Sequence, residues 1–111
     1  MKEMEIAKFL INGSYTAEGA KGLMKEGGTA RKAAVQKALN GLGGKIESIY
    51  YTFGASDVIV IVDIPDAISA LALSMAVNAS GAVRISTTPL LTVEEVDEAC
   101  KKTTSYRPAG A

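Results

Sequence analysis

Asp57-Val58-Ile59-Val60-Ile61-Val62-Asp63-Ile64, preceded by Gly54-Ala55-Ser56 and followed by Pro65-Asp66, is the stretch on which the fold turns. An unbroken run of valine and isoleucine bounded by turn residues reads as a β-strand. Pro65 ends it, and Asp66 is a good N-cap for a helix over 67–79. On the other side, 45–53 (KIESIYYTF) reads as a strand, and the short Gly54-Ala55-Ser56 turn joins the two into a hairpin. The hairpin strand is apolar on both faces, whereas a sheet with one solvated face alternates apolar and polar residues. Leaving Ile59 and Ile61, or the three valines, against water weighs against folding at about 25 cal/mol per Å². That is several kcal/mol, a large share of a small domain's stability. The expected cover is a second copy packed sheet against sheet, with Val58, Ile59, Val60, Ile61 and Val62 at the interface. The alternative cover is a C-terminal helix of the same chain.

Working outward, 5–15 (EIAKFLINGSY) reads as a first strand, with Ala7, Phe9 and Ile11 on one face and Ile6, Lys8, Leu10 and Asn12 on the other. The four glycines of 16–28 argue for a helical turn plus a loop. Thr29 is then the expected N-cap of a helix whose stripe is Ala34, Val35, Ala38, Leu39 and Leu42, stopped by Gly43-Gly44. The helix over 67–79 is apolar almost all round, which predicts burial on more than one side. A fourth strand follows over 82–91, with Pro89 pointing to a sheet edge or a bulge. Thr92-Val93-Glu94-Glu95 is a capping box for a short last helix ending near Lys102. The tail, 103–111, has little to pack with in its own chain. The order β-α-β-β-α-β plus a helix is that of an α+β, ferredoxin-like domain with an antiparallel sheet, one domain with a core over about 5–102.

Composition narrows the chemistry. Among 111 residues there are 12 Lys plus Arg and 12 Asp plus Glu, so no basic excess points to nucleic acid or to a membrane surface. No apolar stretch reaches the length of a membrane span, and 1–6 is too charged for a signal peptide. One cysteine, Cys100, forms no internal disulfide, and the expected location is cytoplasmic. There is no histidine, which removes Ser-His-Asp and Cys-His triads, His-based zinc sites and His-ligated haem. No metal or cofactor is expected.

Three stretches, 9–23 (FLINGSYTAEGAKGL), 49–66 (IYYTFGASDVIVIVDIPD) and 72–92 (ALSMAVNASGAVRISTTPLLT), resemble the GYD-domain family, small bacterial-type proteins placed with the dimeric α/β-barrel folds. The family's Gly-Tyr-Asp signature falls on Gly54, Ser56 and Asp57, with serine where the tyrosine is expected. The resemblance implies a homodimer whose sheets pack face to face. It implies no particular chemistry.

Several residues are candidates for a site. Gly28 and Thr29 at a helix start, with Arg31 and Lys32 behind them, suit an anion; an ordinary cap with solvated side chains is the plainer reading. Tyr15, Tyr50 and Tyr51 can line a pocket and offer hydroxyls, or simply pack in strands. Lys8, Asn12, Arg84, Ser86 and Thr88 alternate along strands expected to be neighbours, and form either a polar wall of a cavity or a contact between copies. Asp57 is expected to cap the hairpin through an Asx-type bond, and Asp63 to end the strand. Cys100 reads as a passively buried thiol. Two functions follow: a homo-oligomeric binding or regulatory module with a small-molecule ligand, or a cofactor-independent dimeric-barrel enzyme, of monooxygenase or isomerase type, acting on a small organic molecule.

Overall fold

A computed structural model describes residues 7–111; the expected beginning of the first strand at Glu5-Ile6, and the charged N-terminal segment, lie outside them. Along the chain come β1 (Ala7–Tyr15), α1 (Ala17–Asn40), β2 (Lys45–Tyr51), β3 (Val58–Ile64), α2 (Ala67–Ala79), β4 (Val83–Leu90) and α3 (Val93–Cys100). The strands form one antiparallel sheet in the order β2-β3-β1-β4. This is the ferredoxin-like α+β arrangement with an added C-terminal helix. Pro89, which has no amide to donate, sits on the edge strand β4 opposite Phe9.

Register sorts every strand residue onto one of two faces. Phe9 and Ile11 of β1 pair with Val62 and Val60 of β3, and these face the helices. With Val58, Ile64, Leu39 of α1, and Ala70 and Leu73 of α2, they make the buried core. Lys8, Leu10 and Asn12 pair with Asp63, Ile61 and Ile59 on the opposite, open face. Of the five β3 residues expected between copies, Val58, Val60 and Val62 therefore belong to the helix-covered core. Only Ile59 and Ile61 lie on the open face. A shift in the β2–β3 register between Ile46 and Ser48 leaves Glu47 on that face as well, within reach of Lys8.

The largest departure from expectation is α1. It starts at Ala17, not near Thr29: the Thr16 side chain accepts from the Gly19 amide at 3.2 Å. Thr29 stands inside the helix and caps nothing. The break that the glycines suggest is real but confined to Gly27, at φ 85° and ψ 168°. Glycine costs about 1 kcal/mol in a helix interior relative to alanine, and Gly19 repays this by contact. A Cβ built there would lie 1.8 Å from the Ala82 carbonyl oxygen, so only glycine lets the helix start run this close to the turn before β4.

α2 follows its local signals from end to end. Asp66 accepts from the Ser69 amide at 2.7 Å, and the Ser74 hydroxyl meets Thr87 of β4 at 2.7 Å. α3 carries its complete capping box, with Glu95 N–H on Thr92 Oγ1 at 3.0 Å and Thr92 N–H on Glu95 Oε1 at 2.7 Å. Yet no residue of α3 is buried. Cys100, read from sequence as a buried thiol, is exposed. The Cα radius of gyration is 17.1 Å, against about 13 Å for a compact chain of this size.

Candidate functional site

The helices do not close fully on the sheet. Between α1, α2 and the helix-facing side of β1–β4 lies a cavity of about 130 Å³. Its walls are Ile11, Val58, Val60, Ile49, Val83 and Ile85 from the sheet, Ala34, Val35 and Ala38 from α1, and Leu73 and Val77 from α2. The alanines of α1 are what leave the space. The cavity runs into a groove of about 410 Å³ along the first half of α1, and Tyr15 and Tyr51 connect it to another of about 390 Å³ beside Asp57. Three polar side chains reach this apolar interior: Tyr15, Arg31 and Tyr51.

Each of the three is held. The Tyr51 hydroxyl donates to the Gly28 carbonyl at 3.2 Å, which ties β2 to α1 immediately after the Gly27 break. Arg31 donates to Glu26 across that break at 3.1 Å, and a guanidinium has further donors to offer. The backbone of Tyr15 is fixed by Asp57, whose carboxylate accepts the Tyr15 amide at 2.8 Å. Burial, first of all, and then the neighbouring Tyr51 push the Tyr15 phenol above its ordinary value; Arg31 pulls the other way without reversing the shift. Tyr15 is therefore a protonated hydrogen-bond donor at neutral pH, unsuited to act as a base.

The signature positions fall at the end of this cleft. Asp57 also joins the sheet through its backbone, its amide donating to Gly13 O and its carbonyl accepting from Thr52 N, at 2.8 and 2.7 Å. The expected Asx-type cap is thus replaced by a long-range bond. Ser56, at the tyrosine position, directs its hydroxyl toward Asn12 Oδ1 at 3.5 Å, on the open face. Gly54 is exposed in the turn with open space around it.

The open face carries a separate set of candidates. Lys8 donates to Asp63 at 2.7 Å and to Glu47 at 2.5 Å. Asp63, expected only to end its strand, is 8% exposed and anchors this group. The hydrogen bond that Lys8 donates to Asp63, then the one it donates to Glu47, raises the Lys8 pKa above its ordinary value. Beside the trio, Leu10 pairs with Thr88 and Ile61, Asn12 with Ser86 and Ile59, and Tyr50 with Ile59. Arg84 lies at the far end, opposite Ser14.

The structure thus divides the sequence candidates between two places. Tyr15, Gly28, Arg31 and Tyr51 come together at the cleft, while Thr29 is exposed beside it. Lys8, Asn12, Tyr50, Arg84, Ser86 and Thr88 share the open face and line no cavity between sheet and helices. Sequence reasoning missed Glu26 as the partner of Arg31, Glu47 as the second partner of Lys8, and the reach of Asp57 to Tyr15. The first is visible as a charge pair flanking a glycine pair. The others depend on strand register, for which no local signal exists. Among the described residues, no group of three or more Cys, Asp or Glu side chains is placed to hold a metal ion, and no helix is long and apolar enough to cross a membrane.

No curated protein and no solved structure matches the chain. The family model described as GYD domain matches residues 9–100, which span β1 to the end of α3 and include the cleft, the open face and the signature positions. On that match the chain belongs to the GYD domain family.

Proposed function

We propose that this protein is a small homo-oligomeric binding module whose cleft takes a compact apolar molecule bearing one acidic or hydrogen-bonding head group. The observation that carries this reading is the convergence of Tyr15, Arg31 and Tyr51 on a cavity otherwise lined by aliphatic side chains. Ligand sites are commonly built so, with an apolar wall for affinity and a few placed polar groups for orientation. A cavity near 130 Å³ suits a single ring or a short branched chain. The cationic Arg31 and the protonated Tyr15 favour a carboxylate at its polar end. Oligomerisation is supported by the open face, where Leu10, Ile59 and Ile61 form an apolar band that no helix among the described residues covers.

The chain has no tryptophan, and two of its four tyrosines, Tyr15 and Tyr51, line the cleft and contribute to its emission. Benzoate titrated into the protein is expected to change tyrosine fluorescence and to shift the amide NMR signals of Tyr15, Ile49 and Val83. Arg31→Ala is expected to weaken benzoate about tenfold, corresponding to one charge-assisted bond of about 1.4 kcal/mol. Ala38→Leu, which fills the cavity, is expected to abolish binding. If neither benzoate nor neutral benzyl alcohol shifts these signals at millimolar concentration, the ligand reading is wrong.

A further inference from the structure

Glu26 and Arg31 stand five positions apart in α1. In an unbroken helix of 3.6 residues per turn, side chains at that spacing point about 140° apart and do not meet. Here Arg31 Nη1 lies 3.1 Å from Glu26 Oε1, because the non-helical backbone of Gly27 redirects the chain between them. The Tyr51 hydroxyl, on the Gly28 carbonyl, holds that break against β2 at the polar end of the cavity. The ion pair is thus built into the fold at this place, at the expense of a regular helix. Both partners line the groove of about 410 Å³ into which the cavity opens. Their side chains are 36% and 41% exposed, so a molecule entering there meets a cation and an anion together.

We propose, resting on the reading of the cleft given above, that its ligand is a free α-amino acid with a branched aliphatic or single-ring side chain. The side chain fills the cavity, the carboxylate lies on Arg31 and the ammonium on Glu26. Among the described residues, Arg31 is the only cation lining the cavity or either groove. Of the other carboxylates there, Glu18 lies 3.9 Å from Lys21, and Asp57 takes the Tyr15 amide. That leaves Glu26 and Arg31 as the charges a ligand meets. A ligand with a carboxylate alone must share Arg31 with Glu26 and brings a second negative charge up beside it, which works against binding. A ligand that also carries an ammonium gives each member of the pair its complement. The pair engages one guanidinium nitrogen and one carboxylate oxygen. A guanidinium has five N–H donors and a carboxylate two oxygens, so both can take the ligand without parting from each other. An α-amino acid bears its two charges on a single carbon, close enough to face both members of a pair 3.1 Å across. A residue inside a peptide bears neither, so the site selects the free amino acid.

L-Leucine, 4-methylpentanoate and 3-methylbutylamine share one apolar tail and differ only in the head group: both charges, the acid alone, the amine alone. Each is titrated into the full-length protein and followed by the amide NMR signals of Tyr15, Ile49 and Val83. Leucine is expected to bind at least about tenfold more tightly than either of the others, the worth of one charge-assisted bond. Glu26→Gln is expected to weaken leucine about tenfold and to leave 4-methylpentanoate unchanged or bound more tightly. Equal affinity for leucine and 4-methylpentanoate overturns the amino-acid assignment while the cleft stands as a site for acids. Loss of both ligands in Glu26→Gln reduces Glu26 to a positioning residue for Arg31 and overturns it as well. If benzoate shifts these signals and leucine does not, the amino-acid assignment alone falls. If neither does, nor benzyl alcohol, the reading of the cleft falls and takes this inference with it.

Discussion

Asp57 occupies a turn, where an aspartate commonly bonds its own backbone a residue or two on. In the folded chain its carboxylate takes the amide of Tyr15, 42 residues away, and so positions a polar group of the cleft. A hydrogen bond to a charged group contributes about 1.5–3 kcal/mol. Asp57→Ala is expected to lower stability by about that much in urea unfolding. Asp57→Asn, which keeps an acceptor oxygen, is expected to lose less. Equal stability of Asp57→Ala and the natural protein contradicts the role assigned here. Titration supplies a second residue-scale prediction. Lys8 and Tyr15 both have folded-state pKa values above their ordinary 10.5 and 10.0. A raised folded pKa means that the native state holds its proton longer than the unfolded chain. The stability linked to it is complete below the unfolded value and is lost as pH climbs through the folded one. Thermal unfolding is therefore expected to shift to lower temperature above about pH 10. Lys8→Met removes the Lys8 part of the shift, and Tyr15→Phe removes the other. A midpoint flat across that range runs against both assignments.

Among the elements, α2 and α3 were legible because their determinants are local. An aspartate after a proline, and a threonine three residues before a glutamate, place helix starts through contacts within one turn. α1 was not, because its first half rests on a contact 63 positions distant, Gly19 against Ala82. Propensity counts glycine as a helix breaker and cannot see that a neighbouring carbonyl requires it. Gly19→Ala is expected to cost about 1–3 kcal/mol through forced displacement of the helix start. Gly27→Ala is expected to cost a similar about 1–3 kcal/mol for a different reason, a backbone conformation open essentially to glycine alone. Chemical denaturation of the two variants measures both. If either alanine is neutral, α1 does not have the kink or the approach described.

For the whole molecule, the two-sided apolar strand is the ground for the proposed pairing of open sheet faces. Register turns Val58, Val60, Val62 and Ile64 into the core and leaves Ile59 and Ile61 on the open face. Ile61→Lys places a charge in the middle of the proposed contact, and its expected result is a fall in molar mass by light scattering to that of a smaller assembly, with unchanged circular dichroism. A natural protein that is already a single subunit at high concentration defeats the pairing.

Sequence alone determined the order of the elements, the hairpin and the caps of the last two helices, and narrowed the proline strand to a sheet edge or a bulge. Each of these follows from periodicity or from bonds within a few residues. Only the tertiary structure decided which face of β3 is core, how Asp57 and Glu47 find their partners, and that alanines on α1 leave a cavity beside Tyr15 and Arg31. Those outcomes depend on register and on the distance between layers, and neither is written in any short stretch of chain.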